Sequence, residues 1–253
     1  MSLWLRLARL LPGLLLGVCL ALLLALCEGL RLANPAQRRA RWTQCFLSAL
    51  ARRLPYEYRV FGQLPTKPML WVSNHVSWAD VLVLGQLAPL TFLAKADVRQ
   101  WPLLGWLAER AGTLFIRRGG GESAPLRLGM AEHLRQGGSV LVFPEGTTTD
   151  GSGTATFHAR LLGAAIEAGV AVQPVALKYL RGGQLDPIAP FIGEDALWPH
   201  LKRLFRHPRA VVEVHLLPPL PCQGQDRSNL VRLARLAIEQ RLAPQPDDTR
   251  QVA

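Results

Sequence analysis

Two short segments hold the residue types that acid–base chemistry needs. In Asn74-His75-Val76-Ser77-Trp78-Ala79-Asp80 a histidine precedes an aspartate by five positions, and in Phe143-Pro144-Glu145-Gly146-Thr147 a carboxylate sits in a glycine turn after an apolar run. If a helix begins after His75, Asp80 lies in its first turns and folds back onto the imidazole. A carboxylate on one ring nitrogen sets the tautomer and leaves the other nitrogen to take a proton from an alcohol, a contribution of about 10² to 10⁴ in rate. The pair alone is a weak signal. In a chain with six His, chance puts some His five residues before some Asp about one time in five, and Asp80 can equally serve only to stabilise a helix N-terminus.

Both segments need elements to hold them, and the hydrophobic periodicity supplies these. Residues 69–73 read as a buried strand, 79–87 as a helix, 91–94 as a strand, 101–111 as a helix and 113–116 as a strand. A helix follows at 123–136, closed by Gly137-Gly138, then a strand at 139–143. After a loop rich in Gly and Thr come a helix at 159–168 and a strand at 170–177, broken by Pro174. A strand at 211–216 follows, with Val212, Val214 and Leu216 on one face and Glu213 and His215 on the other. A last helix, capped by Ser228, runs to Leu242. Strands alternating with helices imply an α/β fold. The turn at Pro144 to Thr147 then falls at the carboxyl edge of a strand, where open α/β sheets bind ligands, although a plain Pro-Gly turn would read the same. Gly112 to Arg118 adds an apolar strand ending in two cations, which can hold a polar headgroup or face water.

With 253 residues, the chain has room for one substantial α/β domain and a small appendage. The expected division is 1–54 as N-terminal membrane-anchoring helices, 55–243 as the catalytic domain and 244–253 as a polar tail. Residues 10–27 contain only Leu, Ala, Val, Gly, Pro and Cys. As a helix they span about 27 Å, near the lower limit for a bilayer core of about 30 Å. Three readings fit them: a cleaved secretory signal, a spanning helix, and a helix lying in one leaflet. The first lacks a small-x-small cleavage site. The third pairs them with an amphipathic arm at 35–54, where Trp42, Phe46, Leu47, Leu50 and Leu54 recur at helical spacing among arginines.

Residues 1–53 hold eight Arg and a single acid, Glu28, so they carry +7 of the total +11. Basic flanks on an apolar helix favour anionic headgroups and a cytoplasmic position. No basic helix with interleaved aromatics suggests a nucleic-acid partner. The four Cys lack CxxC spacing, which argues against a zinc site or a disulfide framework. His133, His158, His200, His207 and His215 are isolated, and are expected at the surface or in loops rather than as metal ligands. Trp71, Trp78, Trp101 and Trp106 fit ordinary core packing better than an acyl tunnel.

Taken in order, these blocks resemble the glycerolipid (lysophosphatidate-type) acyltransferase family. They are His75 with Asp80, Gly112 with Phe115 and Arg118, Phe143 through Thr147, and Pro174 within 172–177, and the intervening Lys95, Pro102, Gly105 and Trp106 also match. The resemblance covers about 56–220. It implies a mixed, mostly parallel sheet flanked by helices, with an N-terminal two-helix membrane-binding motif. It also implies transfer of a fatty acyl group from an acyl thioester, on acyl carrier protein or coenzyme A, to a lysolipid hydroxyl at the cytoplasmic face of the inner membrane. No cofactor, metal or covalent intermediate is called for. His75 would be the general base and Asp80 its orienter. Lys95 or backbone groups would stabilise the oxyanion, and Arg118, Glu145, Gly146 and Thr147 would position the acceptor.

One departure bears on the acceptor. Where family members that make phosphatidate usually have Arg-Ser after the Gly-Thr, this chain has Thr148-Thr149, and the basic run usual after the later Phe is His158-Ala159-Arg160. The variant resembles the branch that acylates lyso-ornithine lipid, with lysophosphatidate as the alternative acceptor. Two other classes compete. A serine lipase would need a Gly-x-Ser-x-Gly elbow, which the sequence lacks, and a non-catalytic lipid-binding protein would have no use for His75.

Overall fold

The structure, a computed structural model, describes residues 3–30, 35–116 and 123–243. Short runs of β-branched and aromatic residues form the strands: β1 (Tyr56–Phe61), β2 (Leu70–Ser73), β3 (Leu90–Lys95), β4 (Leu114–Ile116), β5 (Ser139–Val142), β6 (Val172–Arg181), β7 (Gln184–Leu185) and β8 (Ala210–Leu216). The helices are α1 (Leu3–Ala8), α2 (Leu11–Gly29), α3 (Pro35–Ala51), α4 (Ala79–Gly85), α5 (Leu104–Arg110), α6 (Ser123–Arg135), α7 (Gly163–Ala168), α8 (Leu197–Arg206) and α9 (Arg227–Leu242).

The strands form one sheet in the order β1-β8-β6-β2-β5-β3-β4, with β7 paired to β6. The pairings are parallel except those of β6 with β8 and with β7. This is the expected mixed, mostly parallel α/β sheet. Because β2, β5, β3 and β4 all run the same way, their carboxyl ends open on one edge.

Side-chain alternation on β2 shows how the layers form. Trp71 points into a cluster with Leu47 and Leu50 of α3, Leu84 of α4 and Leu204 of α8. Leu70 and Val72 point the other way, onto Met130 and Leu134 of α6 and Leu230 and Ile238 of α9. With both faces covered, β2 reads as an unbroken apolar run, as buried parallel strands do. Each fully buried Leu or Ile contributes about 1.5–3 kcal/mol.

The N-terminal stretch Leu3–Glu28 is long and apolar enough to cross a membrane. Helix α2 lies on α3 because glycines let the backbones close: a Cβ at Gly17 would stand 2.4 Å from the Phe46 ring. Helix α3 in turn presses Leu47 onto Gly85 of α4. Both ends of the apolar segment are tied to the domain. Leu7 is buried in the core, Arg6 donates to the Phe205 carbonyl at 3.0 Å, and Glu28 pairs with Arg39 and Arg110.

Several elements depart from the expectations. Strand β6 runs straight through Pro174, whose carbonyl still accepts from Leu217 N at 3.0 Å; the missing N–H removes one ladder bond without ending the strand. Asp226 rather than Ser228 caps α9, accepting from Asn229 N at 2.9 Å, because the helix begins two residues earlier than its apolar pattern indicates. Pro102 and Leu103, the latter with φ +60, delay α5 to Leu104. Residues 159–162 form a turn, leaving α7 to start at Gly163. Strand β1 and helix α8 were not anticipated, since charges interrupt the first and Pro199 and His200 the second. His200 and His215, expected at the surface or in loops, lie on α8 and β8 and are 0% and 3% exposed. The tail at 244–253 lies outside the described residues.

Candidate active site

The loop between β2 and α4 carries His75, and the first turn of α4 carries Asp80. Asp80 Oδ2 accepts from His75 Nδ1 at 2.7 Å, from Val76 N at 2.7 Å and from Ser77 N at 3.0 Å. Its other oxygen, Oδ1, accepts from the Tyr179 hydroxyl at 2.5 Å. A fully buried carboxylate with four donors is held in one place, and it holds the ring in turn. Asp80 stands in the first turn of the helix that presents it, but its oxygens go to the ring, to Tyr179 and to the loop amides ahead of that helix, and no side chain caps the helix itself.

The His75 ring stacks on Phe143, centroids 3.9 Å apart and planes within 11°, and its side chain keeps 20% exposure. Nδ1 is engaged by Asp80, and Nε2 has no hydrogen-bond partner among the described residues. This is the geometry of a ring oriented through one nitrogen with the other left for a substrate proton.

The backbone around the ring is pinned from three directions. Glu145 Oε1 accepts from His75 N at 2.7 Å, and Oε2 accepts from Ala155 N at 2.6 Å. Thr149 N donates to the His75 carbonyl at 2.8 Å, and Phe191 N donates to the Val76 carbonyl at 2.9 Å. Thr148 Oγ1 donates to the Phe191 carbonyl. Asn74 clamps β6 by donating to the Leu177 carbonyl at 3.0 Å and accepting from Leu177 N at 2.8 Å. Burial pushes the Glu145 carboxyl above its ordinary value, and the two backbone amides pull against that. Burial, then the neighbouring Asp80, pushes the Tyr179 phenol well above its ordinary value, so it stays a donor.

The structure brings together His75, Asp80 and Glu145, but aims both Glu145 oxygens at backbone amides instead of outward toward an acceptor. Gly146 takes φ +66 in the turn that bonds its N to the Phe143 carbonyl at 3.1 Å, and Thr147 is exposed beside it. Lys95 ends β3 at the same sheet edge: Phe92 pairs with Leu141, which pairs with Trp71, so Lys95 stands level with Pro144 and Asn74. Its side chain and all of Arg118 lie outside the described residues.

Sequence reasoning missed Tyr179, the Asn74 clamp and His200. Trp78 Nε1 donates to His200 Nδ1 at 2.9 Å, while His200 Nε2 faces the Ile188 and Pro190 carbonyls at 3.2 and 3.1 Å. That assigns the neutral Nε2–H tautomer, and burial lowers the ring's pKa in keeping with it. Only Asn74 had a sequence signal, its place beside His75.

An acyltransferase family model matches residues 57–178. The chain is 52% identical to a lyso-ornithine lipid O-acyltransferase of Pseudomonas aeruginosa over 255 aligned residues, covering 100% of this chain and 99% of that one. It is 39% identical to a 1-acyl-sn-glycerol-3-phosphate acyltransferase of Neisseria gonorrhoeae, but over 44% of each chain. The fold matches the crystal structure of a 1-acyl-sn-glycerophosphate acyltransferase from Thermotoga maritima with a TM-score of 0.60 and 19% identity, covering 95% of this chain and 99% of that one.

Proposed function

The chain belongs to the acyltransferase family, and on that premise we propose that it is a lysolipid O-acyltransferase that completes ornithine lipid by acylating the free hydroxyl of lyso-ornithine lipid. The observation that carries the chemistry is the His75 ring, held through Nδ1 by Asp80 with Nε2 open at the sheet edge.

His75 Nε2 takes the acceptor's hydroxyl proton as its oxygen attacks the thioester carbonyl. The tetrahedral oxyanion is met by Lys95 or by backbone donors, and Arg118 is the candidate cation for positioning the acceptor. Collapse forms the ester bond, breaks the C–S bond and returns the proton from Nε2 to the departing thiolate. Asp80 keeps the tautomer throughout, and Glu145 holds the His75 backbone at the edge. Gly146 and Thr147, exposed at the turn, border the acceptor. The donor is acyl carrier protein or coenzyme A thioester.

Similarity along the whole chain to the lyso-ornithine enzyme, against under half for the lysophosphatidate enzyme, supports the acceptor. So does the site's rim: Thr148 and Thr149 bond inward to Phe191 and His75, and Asp150 follows where a phosphate would be repelled. The basic flanks support the cytoplasmic face of the inner membrane. A helix tied at both ends to one body supports an in-leaflet anchor over a spanning one.

The test is a purified-enzyme assay offering lyso-ornithine lipid and lysophosphatidate with each thioester. Preferred acylation of lyso-ornithine lipid is expected; clear preference for lysophosphatidate overturns the acceptor assignment, and fatty-acid release without a donor overturns acyl transfer.

A further inference from the structure

Helix α8 has two different faces. Its inner face carries His200, Leu204 and Phe205, all buried. Its outer face carries Trp198, Lys202 and Arg206, spaced four apart on one stripe. Trp198 is 48% exposed, with the Lys202 ammonium 5.0 Å from its ring centroid. Residues 196–209 contain no acid and include Lys202, Arg203, Arg206 and Arg209; among the described residues Arg203 forms an ion pair with Asp195.

Helix α1 packs against this helix, buries Leu7 in the core and sends Arg6 to the Phe205 carbonyl. It leaves Trp4 66% and Leu5 60% exposed on its own outer side. It leads directly into α2 through a turn in which Leu10 N bonds the Leu7 carbonyl at 2.9 Å. Two exposed tryptophans, each set among basic residues and joined to an apolar helix, make the pattern of an interfacial surface: rings at headgroup depth, cations toward anionic phosphates.

We propose that the outer face of α1 and α8 is a second membrane-contact surface that seats on an anionic bilayer beside α2. The proposal rests on the reading of α2 as a lipid anchor and of the substrates as membrane lipids. Charge selects the occupant. Two helices that carry several cations and no acid of their own complement an anionic bilayer, and a second copy of this same face would be repelled by it. Because the inner face of the same helix gives Trp78 its acceptor, seating α8 also fixes an element that touches the His75 loop.

The test uses the full chain with Cys19, Cys27, Cys45 and Cys222 replaced by Ala, carrying a single fluorophore either at Lys202→Cys or, as a control on α9 across the sheet, at Ser228→Cys. Vesicles are an equal mixture of phosphatidylethanolamine and phosphatidylglycerol with a spin-labelled lipid quencher near the headgroup. Quenching at 202 and none at 228 is expected. Without the label, Lys202→Gln with Arg206→Gln should weaken binding to these vesicles by about fivefold for each charge, since each basic residue near an anionic surface contributes about 1 kcal/mol, and leave binding to phosphatidylcholine vesicles unchanged. A label at 202 that stays open to aqueous iodide while the chain is vesicle-bound overturns the proposal, as does charge-independent binding. Failure of the enzymatic reading shows separately, as quenching of the label at Lys202→Cys while the unlabelled wild-type chain acylates no lysolipid.

Discussion

His75 with Asp80 and His215 with Glu213 are both imidazole–carboxylate pairs on the same sheet, at 2.7 and 3.0 Å. In the first, the acid is fully buried and the ring keeps 20% exposure; in the second the ring keeps 4% and the acid 16%. The His75 ring meets one protein acid through Nδ1 and presents Nε2 at the open edge. The His215 ring stacks on Phe61, and its Nε2 lies inside the fold between the Glu213 carboxylate, to which it donates when protonated, and the Arg241 guanidinium, from which it accepts when not. A close carboxylate is therefore not what distinguishes a base from a structural histidine. Access is the difference, together with the buried donors that fix the acid.

The largest contrast comes from truncating each ring. His75→Ala should lower transfer by about 10² to 10⁴, with the circular dichroism spectrum kept, while His215→Gln should leave transfer within about twofold. Equal losses in the two variants would erase the distinction. Next, Asp80→Asn should cut kcat by about 10² or more, since the amide no longer sets the tautomer; an unchanged kcat would remove Asp80 from the mechanism.

Tyr179→Phe tests whether the far side of the acid matters. It removes the donor to Asp80 Oδ1, and should lower kcat about tenfold and stability by about 1.5–3 kcal/mol, as for a hydrogen bond to a charged group. A stability loss with kcat intact would make Tyr179 purely structural. The smallest expected effect is on acid sensitivity. Burial holds His215 below its ordinary value, with Glu213 raising it and Arg241 and Lys178 lowering it. As pH falls below about 6.5 the unfolded chain takes the proton first. Stability present above that pH is then lost on acidification, and His215→Gln should flatten the loss in thermal unfolding followed against pH.

The spacing of His75 and Asp80 was legible because both lie within one strand–turn–helix unit, where local geometry decides contact. Glu145 was found for its turn, but its partners were not, because His75 N reaches it only once β2 and β5 are neighbours and Ala155 N only once the long loop after β5 folds back on the turn. His200 read as a loop residue since nothing near it in sequence shows that Trp78 will come to it.

By itself the sequence determined the α/β class, the apolar N-terminal helix and the histidine–aspartate pair, all set by periodicity and spacing over a few residues. Tertiary structure alone decided that Tyr179 and the amides of Val76 and Ser77 fix the acid, that Glu145 pins the loop and that Nε2 stays open. Those outcomes depend on which strands pair and which faces are covered, and chain folding settles that between residues as much as 99 positions apart.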